Sequence, residues 1–304
     1  MSFVLVSITQ ARSIVDELNT NIKTKAEKYI AYTYEKIKFP QNGKLSYSVF
    51  KNAYYGYLNL LQAGKINREN ILTVCDFTLS SNKKRLWVID LKNKKILFHS
   101  LVAHGMGTGE EFATLFSNTE DSHQSSLGFY ITQETYTGNN GYSLKLIGVD
   151  GTFNSNAYDR AIVVHGAEYV SEQFAKANNR LGRSHGCPAL PLDIAPHVID
   201  KIKNGTCLFI YHTANNYLSK SKWLNSPLNY LPKEADLMDI QFEEVRNNPS
   251  NDVNQMEESS NKEMAIQSNE ESNENITPKE KKITSVIYVD YNSRTGAADT
   301  CIIK

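Results

Sequence analysis

Apolar residues in the first fifth of the chain recur at helical spacing: Ile14, Leu18 and Ile22 in one run, then Val49, Phe50, Ala53, Tyr54, Tyr57, Leu58 and Leu61 in a second. That period places them along one face, so residues 11–66 read as helical, with Ser46 or Ser48 as the cap of the second helix. The aromatic stripe of that helix needs a surface to dock against. Further on, the period drops to two. Arg85 to Asp90, a turn at Asn93-Lys94-Lys95, and Ile96 to Val102 predict a β-hairpin, and strands are expected at 128–132, 144–149, 161–165 and 207–212. Ile71 to Cys75 is a further strand-like apolar run. Residues 192–205 return to helical spacing and end on Asn204-Gly205, with Pro196 tolerable only in the first turn. Between 247 and 282 the chain turns to Asn, Ser, Glu, Gln and Lys, a composition that cannot bury enough surface to order itself. Val286 to Val289 is expected to form a strand or a short docking motif.

These patterns predict an α+β protein. A helical N-terminal region (1–66) precedes a β-rich domain of mixed sheets (67–215) with a short helix late in it. An extension (216–246), a disordered polar linker (247–282) and a short C-terminal segment (283–304) follow. The 304 residues suffice for one medium domain with flanks. Lys plus Arg and Asp plus Glu each total 33, so no net field draws the protein to nucleic acid, and no basic stripe with interleaved aromatics appears. No run reaches the roughly 18 apolar residues of a membrane span. The apolar start, Met1 to Ala11, is short and lacks the basic residues that open a secretory leader, though it would fit the stub of a trimmed one.

Chemistry concentrates around one of the four cysteines. Cys75 and Cys207 lie in apolar strands, where a thiol behaves as a small hydrophobe, and with Cys301 they form no framework of spaced pairs. Cys187 sits instead in Arg183-Ser184-His185-Gly186-Cys187-Pro188. Glycine before the cysteine permits a turn that aims successive amide N–H groups at one point, the makings of an oxyanion hole. A thiol that attacks an amide needs a base, and His165 and His185 are the candidates. His165 ends the apolar strand Ala161-Ile162-Val163-Val164, a rigid place for a base, whereas His185 lies within the cysteine's own loop. A thiolate–imidazolium pair there is expected to lower the thiol pKa below about 8.5. Zinc is the competing chemistry for His165, His185 and Cys187, but no fourth ligand stands at metal spacing.

His165-Gly166 followed by Ser184-His185-Gly186-Cys187 resembles the catalytic motif of the murein L,D-transpeptidase (YkuD-like) family, in the branch with a Gly-Arg-Ser-x-Gly-Cys-Pro-Ala-Leu-Pro cysteine motif, here Gly182 to Pro191. The strand pair Leu86 to Val102, the loop His104-Gly105-Met106-Gly107-Thr108-Gly109 and the segment Ser126-Leu127-Gly128-Phe129-Tyr130 are similar to the family's upstream elements, so the likeness covers roughly 70–212. Two departures stand out. Pro188-Ala189-Leu190 replaces the polar pair that commonly follows the cysteine, and Leu127 stands where many members carry proline. Arg183 or Arg180 is then the expected cation for a stem-peptide carboxylate.

The resemblance implies a two-step acyl transfer on peptidoglycan stem peptides in the cell envelope or periplasm, without metal or organic cofactor. Cys187 would attack the third residue of a tetrapeptide stem and D-alanine would leave. A neighbouring stem's amine would then resolve the thioester into a 3-to-3 cross-link. His165 would act as base, N–H groups at Gly186 and Cys187 would hold the oxyanion, and Ser184 and His185 would shape the loop. Gly105, Ser126 and Gly128 join Arg180 and Arg183 as expected substrate-binding positions. Water in place of the amine would make the protein an L,D-carboxypeptidase. A non-catalytic wall-binding role would leave the helical region and the tail as its working parts. An unrelated cysteine amidase would ordinarily place the cysteine before the histidine, the reverse of the order here.

Overall fold

The computed structural model describes residues 8–229, 231–233 and 235. The expected linker at 247–282, the C-terminal segment at 283–304 and residues 1–7 lie outside them.

The N-terminal region forms two helices, α1 (Ile8–Lys36) and α2 (Tyr47–Gln62). Pro40 separates them, since a residue before proline is driven out of helical backbone. The intervening segment is tied to the β-rich part: the Lys38 N–H donates to Lys94 O at 2.9 Å, and Trp87 Nε1 donates to Gly43 O at 2.7 Å. Ser46 occupies the N-cap position of α2, but its hydroxyl pairs with Ser48 Oγ at 2.9 Å and makes no cap hydrogen bond.

Eight strands make one mixed sheet. They are β1 (Ile71–Asp76), β2 (Leu86–Asp90), β3 (Lys95–Ser100), β4 (Gly128–Gly138), β5 (Gly141–Gly148), β6 (Val163–Gly166), β7 (Ala189–Leu190) and β8 (Cys207–Tyr211), in the order β3-β2-β1-β8-β4-β5-β6-β7. The pairs β1–β8 and β6–β7 run parallel and the others antiparallel. The hairpin expected from alternation is β2–β3, with Asp90 opposite Lys95. Central strands β1 and β8 are buried along their whole length, which is why they read as continuous apolar runs. Helix α3 (Glu172–Asn178) is capped by Ser171, whose hydroxyl accepts the Phe174 N–H. In α4 (Ala195–Ile202), Pro196 falls in the first turn as its missing N–H requires.

The aromatic stripe of α2 finds its surface within one apolar core that also takes in Tyr29 and Ile30 of α1 and Leu72, Phe129 and Phe209 of the sheet. Phe129 and Phe209 stack at 4.1 Å, and Gly56 of α2 lies directly against the Phe129 ring. After β8, short helices α5 (Tyr217–Lys220) and α6 (Lys222–Asn225) fold back on α2, where Asn59 Nδ2 donates to Trp223 O at 2.9 Å. Buried Asp150 anchors this return by accepting from the hydroxyls of Tyr217 at 2.5 Å and Ser221 at 2.8 Å. Among the described residues no helix is long and apolar enough to cross a membrane.

Candidate active site

The cysteine loop reaches the sheet edge through β7. His165 pairs with Ala189 in parallel register, so Cys187, two residues before Ala189, falls level with Val163, two before His165. Cys187 itself lies just outside β7, and its thiol reaches the β6 backbone at the Val163 N–H, two residues before His165. Outside β7 the backbone of 103–106 closes the loop: Ala103 N–H donates to Ala189 O at 2.9 Å, Ser184 N–H to His104 O at 3.0 Å, and Met106 N–H to Ser184 O at 2.7 Å.

Gly186 adopts φ of +121°, a conformation that side chains resist. Ser184 Oγ closes the turn from inside, accepting the Gly186 N–H at 3.0 Å and donating to Cys187 O at 2.7 Å. Ser125 Oγ holds it from outside, donating to Gly186 O at 3.1 Å and accepting the Gly105 N–H at 3.0 Å. The expected oxyanion donors therefore narrow, because the Gly186 N–H is already committed to Ser184.

The Cys187 thiol is buried, 8% exposed, facing the Val163 N–H at 3.4 Å and the Ala161 carbonyl at 3.7 Å. Burial pushes its pKa up, and the Val163 N–H and the Arg160 charge pull back only partly. The lowered thiol expected from an ion pair is thus not found. The hydrogen bond of the His165 ring goes to its own loop, from Nδ1 to Gly166 O at 3.0 Å. A carbonyl can only accept, so Nδ1 carries the proton and Nε2 is the basic nitrogen. Burial lowers the His165 pKa, keeping the ring neutral near pH 7. The two groups therefore rest as thiol and imidazole. Without an imidazolium partner, only the Val163 N–H and the Arg160 charge offset desolvation of the thiolate, and only in part.

The other expected residues have definite places. His185 is exposed and stacks on His123, ring centroids 4.2 Å apart and planes 10° from parallel. Gly105 lets the two loops approach, since a Cβ there would lie 2.9 Å from both N and Cα of Gly186. Arg180 and Arg183 share one carboxylate, Glu110, at 2.8 and 2.6 Å, so a substrate carboxylate would have to displace it. Ser126 is fully buried, its hydroxyl donating to Ser117 O at 2.7 Å and accepting from Arg160 at 2.6 Å, and Gly128 is buried where β4 begins. Among the described residues no group of three or more His, Cys, Asp or Glu side chains is placed to hold a metal ion.

Three residues that sequence reasoning did not single out support the site. Ser125 bridges the Gly105 and Gly186 loops as described. Buried Arg85 donates to Val102 O and, at 2.8 Å, to His104 Nδ1. His104 Nε2 in turn donates to Glu110 O at 3.1 Å, and burial beside Arg85 lowers its pKa to about 4, so the ring braces the 104–110 loop in neutral form. Arg160, the third, reaches across to residues 117–126. Of these, only Arg160 had a signal in sequence, as the one cation immediately before the β6 strand.

Residues 41–211 match the family model of the L,D-transpeptidase catalytic domain. No curated protein sequence matches the chain. Similar solved structures include an L,D-transpeptidase from Mycobacterium smegmatis (12% identity, 47% of this chain and 59% of that one, TM-score 0.30). Another is an L,D-transpeptidase from Mycobacterium tuberculosis H37Rv (13%, 47% and 58%, 0.29). A third is the helical cell shape determining protein Pgp2 from Campylobacter jejuni (11%, 56% and 61%, 0.33). The chain spans about three fifths of the length of each.

Proposed function

The chain belongs to the L,D-transpeptidase catalytic-domain family, and on that premise we propose that it is a cysteine transpeptidase of peptidoglycan stem peptides in the cell envelope, acting through Cys187. The observation that carries this reading is a Gly-presented thiol set against the Val163 N–H of the same short strand that holds His165, whose Nδ1 is fixed on Gly166.

With both groups neutral at rest, His165 works as a general base and not as half of a preformed ion pair. Its Nε2 takes the Cys187 proton as Sγ bonds to the carbonyl carbon of the third residue of a tetrapeptide stem. The Cys187 N–H, next to the committed Gly186 N–H, holds the developing oxyanion. When the tetrahedral centre collapses, the amide C–N bond breaks and the D-alanine amine departs with the proton held by His165, leaving a thioester. An amine on a second stem then attacks the thioester carbon and gives its proton to His165. The C–S bond breaks, the thiol recovers its proton, and a 3-to-3 cross-link results. Water in the second step would give a tripeptide instead.

Incubation with purified disaccharide-tetrapeptide, products read by mass, tests the proposal. A dimer lacking one D-alanine is expected. Tripeptide alone would make the enzyme an L,D-carboxypeptidase, and unchanged substrate would overturn the enzymatic reading in favour of wall binding.

A further inference from the structure

Arg160 is a cation without a carboxylate, placed against the cysteine turn. Its Nη1 donates to Ser117 O at 2.9 Å and Ser126 Oγ at 2.6 Å, and its Nη2 donates to Gln124 O at 2.7 Å and Ser122 Oγ at 3.2 Å. All four acceptors are neutral. Among the described residues no acidic side chain pairs with it, whereas Arg180 and Arg183 both sit on Glu110. A guanidinium strongly favours an anionic partner, and a half-buried one held only by neutral oxygens retains most of its field. Nη2 also lies 3.4 Å from where a Cβ on Gly186 would stand, beside the residue that carries the thiol. After Cys187 come Pro188, Ala189 and Leu190, so the loop brings no free cation of its own.

We infer that Arg160 is a positioning residue for the reaction proposed above: it holds the 117–126 segment on the cysteine turn and supplies the positive charge that stabilises the Cys187 thiolate as the proton leaves. The inference rests on Cys187 being the nucleophile but not on the substrate. The titratable groups around the thiol leave this role to Arg160. His165 on β6 is neutral, the Tyr169 phenol stays protonated up to about 12, and burial raises the Tyr130 phenol on β4, which donates to Ser126 O at 2.8 Å. His123 and His185 stack on each other, the His185 ring exposed. The Arg160 charge acts on Cys187 in the lowering direction, though burial outweighs it.

The test is the pH dependence of iodoacetamide alkylation of full-length protein, read by mass on the peptide that carries Cys187. For Arg160→Gln the midpoint should rise by about one pH unit, a roughly tenfold slower alkylation at a fixed pH below it. Arg160→Lys, which keeps the charge and loses the fork, should stay within about 0.3 unit of the parent. A merely structural residue would lose its role in both. An unmoved midpoint in Arg160→Gln overturns the inference, and so does a rise in Arg160→Lys as large as that expected for the glutamine. If Arg160→Gln does not fold by circular dichroism, the lysine variant decides: a parental midpoint supports the inference and a raised one overturns it. Because no stem peptide is present, failure of the transpeptidase reaction would leave this result standing.

Discussion

Gly186→Ala probes how tightly the cysteine turn is specified. The substitution meets two separate costs. At φ of +121° an alanine is strained by about 1–3 kcal/mol whatever the surrounding space. The added Cβ would also stand 2.8 Å from Gln124 O and 3.0 Å from Ile162 Cδ1, the first a backbone atom that cannot swing aside. Gln124 O accepts from Arg160 Nη2 at 2.7 Å, and moving it weakens a charge-assisted bond worth about 1.5–3 kcal/mol when intact. Allowing partial relaxation of the second cost, the variant should lose about 2–4 kcal/mol. Two other glycines separate the contributions. Gly64→Ala, at φ of +64° with open space around it, carries strain alone and should cost about 1 kcal/mol. Gly105→Ala, at φ of −70°, carries only the clash with Gly186 and His123 O. Urea unfolding measures all three, read as a shift in midpoint at constant slope. Tetrapeptide turnover should fall in Gly186→Ala and Gly105→Ala and stay parental in Gly64→Ala. If Gly186→Ala lies within about 0.5 kcal/mol of the parent and turns over normally, the turn is not constrained as described and the reasoning fails.

Cys187→Ser and Cys187→Ala should abolish turnover while leaving the unfolding midpoint close to parental. Cys207→Ser, in a fully buried strand, should instead cost about 1–3 kcal/mol and spare chemistry, as turnover and urea melts together will tell. His165→Ala should remove the reaction with tetrapeptide, whereas His185→Ala, losing only an exposed stack on His123, should keep appreciable activity, and the opposite result would reverse the assignment of the base. His104 has a folded pKa of about 4, below its unfolded value of about 6.5, so the unfolded chain takes up the proton first. Its share of stability is therefore full above pH 6.5 and is lost as pH falls toward 4. It amounts to about 3 kcal/mol over that window, and urea midpoints measured from pH 7 to 4 should show a decline that His104→Gln reduces.

Much of the fold was legible because its signals are local. Alternation in Leu86–Asp90 and Lys95–Ser100 predicts the β2–β3 hairpin, and the position of Pro196 predicts where α4 can begin. Strand β7 was not legible: two residues carry no period, and it exists only because Ala103 and His165 offer it backbone partners from distant parts of the chain. The reach of β4 to Gly138 is not legible from the apolar pattern, because the residues beyond buried Thr132 are polar or partly exposed and break the run that predicts 128–132.

The site divides along the same line. Cys187 and His165 could be named from sequence because each is marked by neighbours in the chain, a preceding glycine in one case and an apolar strand in the other. Their ionisation could not, since it depends on what surrounds the thiol in space. A sequence reading supplies the histidine and so suggests an ion pair. In the folded protein the His165 Nδ1 is held by Gly166 O and the thiol is enclosed by Val163, Ala161 and the Gly186 turn, so desolvation sets the resting state. A buried neutral thiol is protected from adventitious alkylation and oxidation, both of which require thiolate. Under the mechanism proposed above, it becomes nucleophilic only when a carbonyl carbon is in place to accept the sulfur as the proton moves to His165. On this account, substrate engagement and thiol activation are a single event, and the charge of Arg160 matters during that event more than before it.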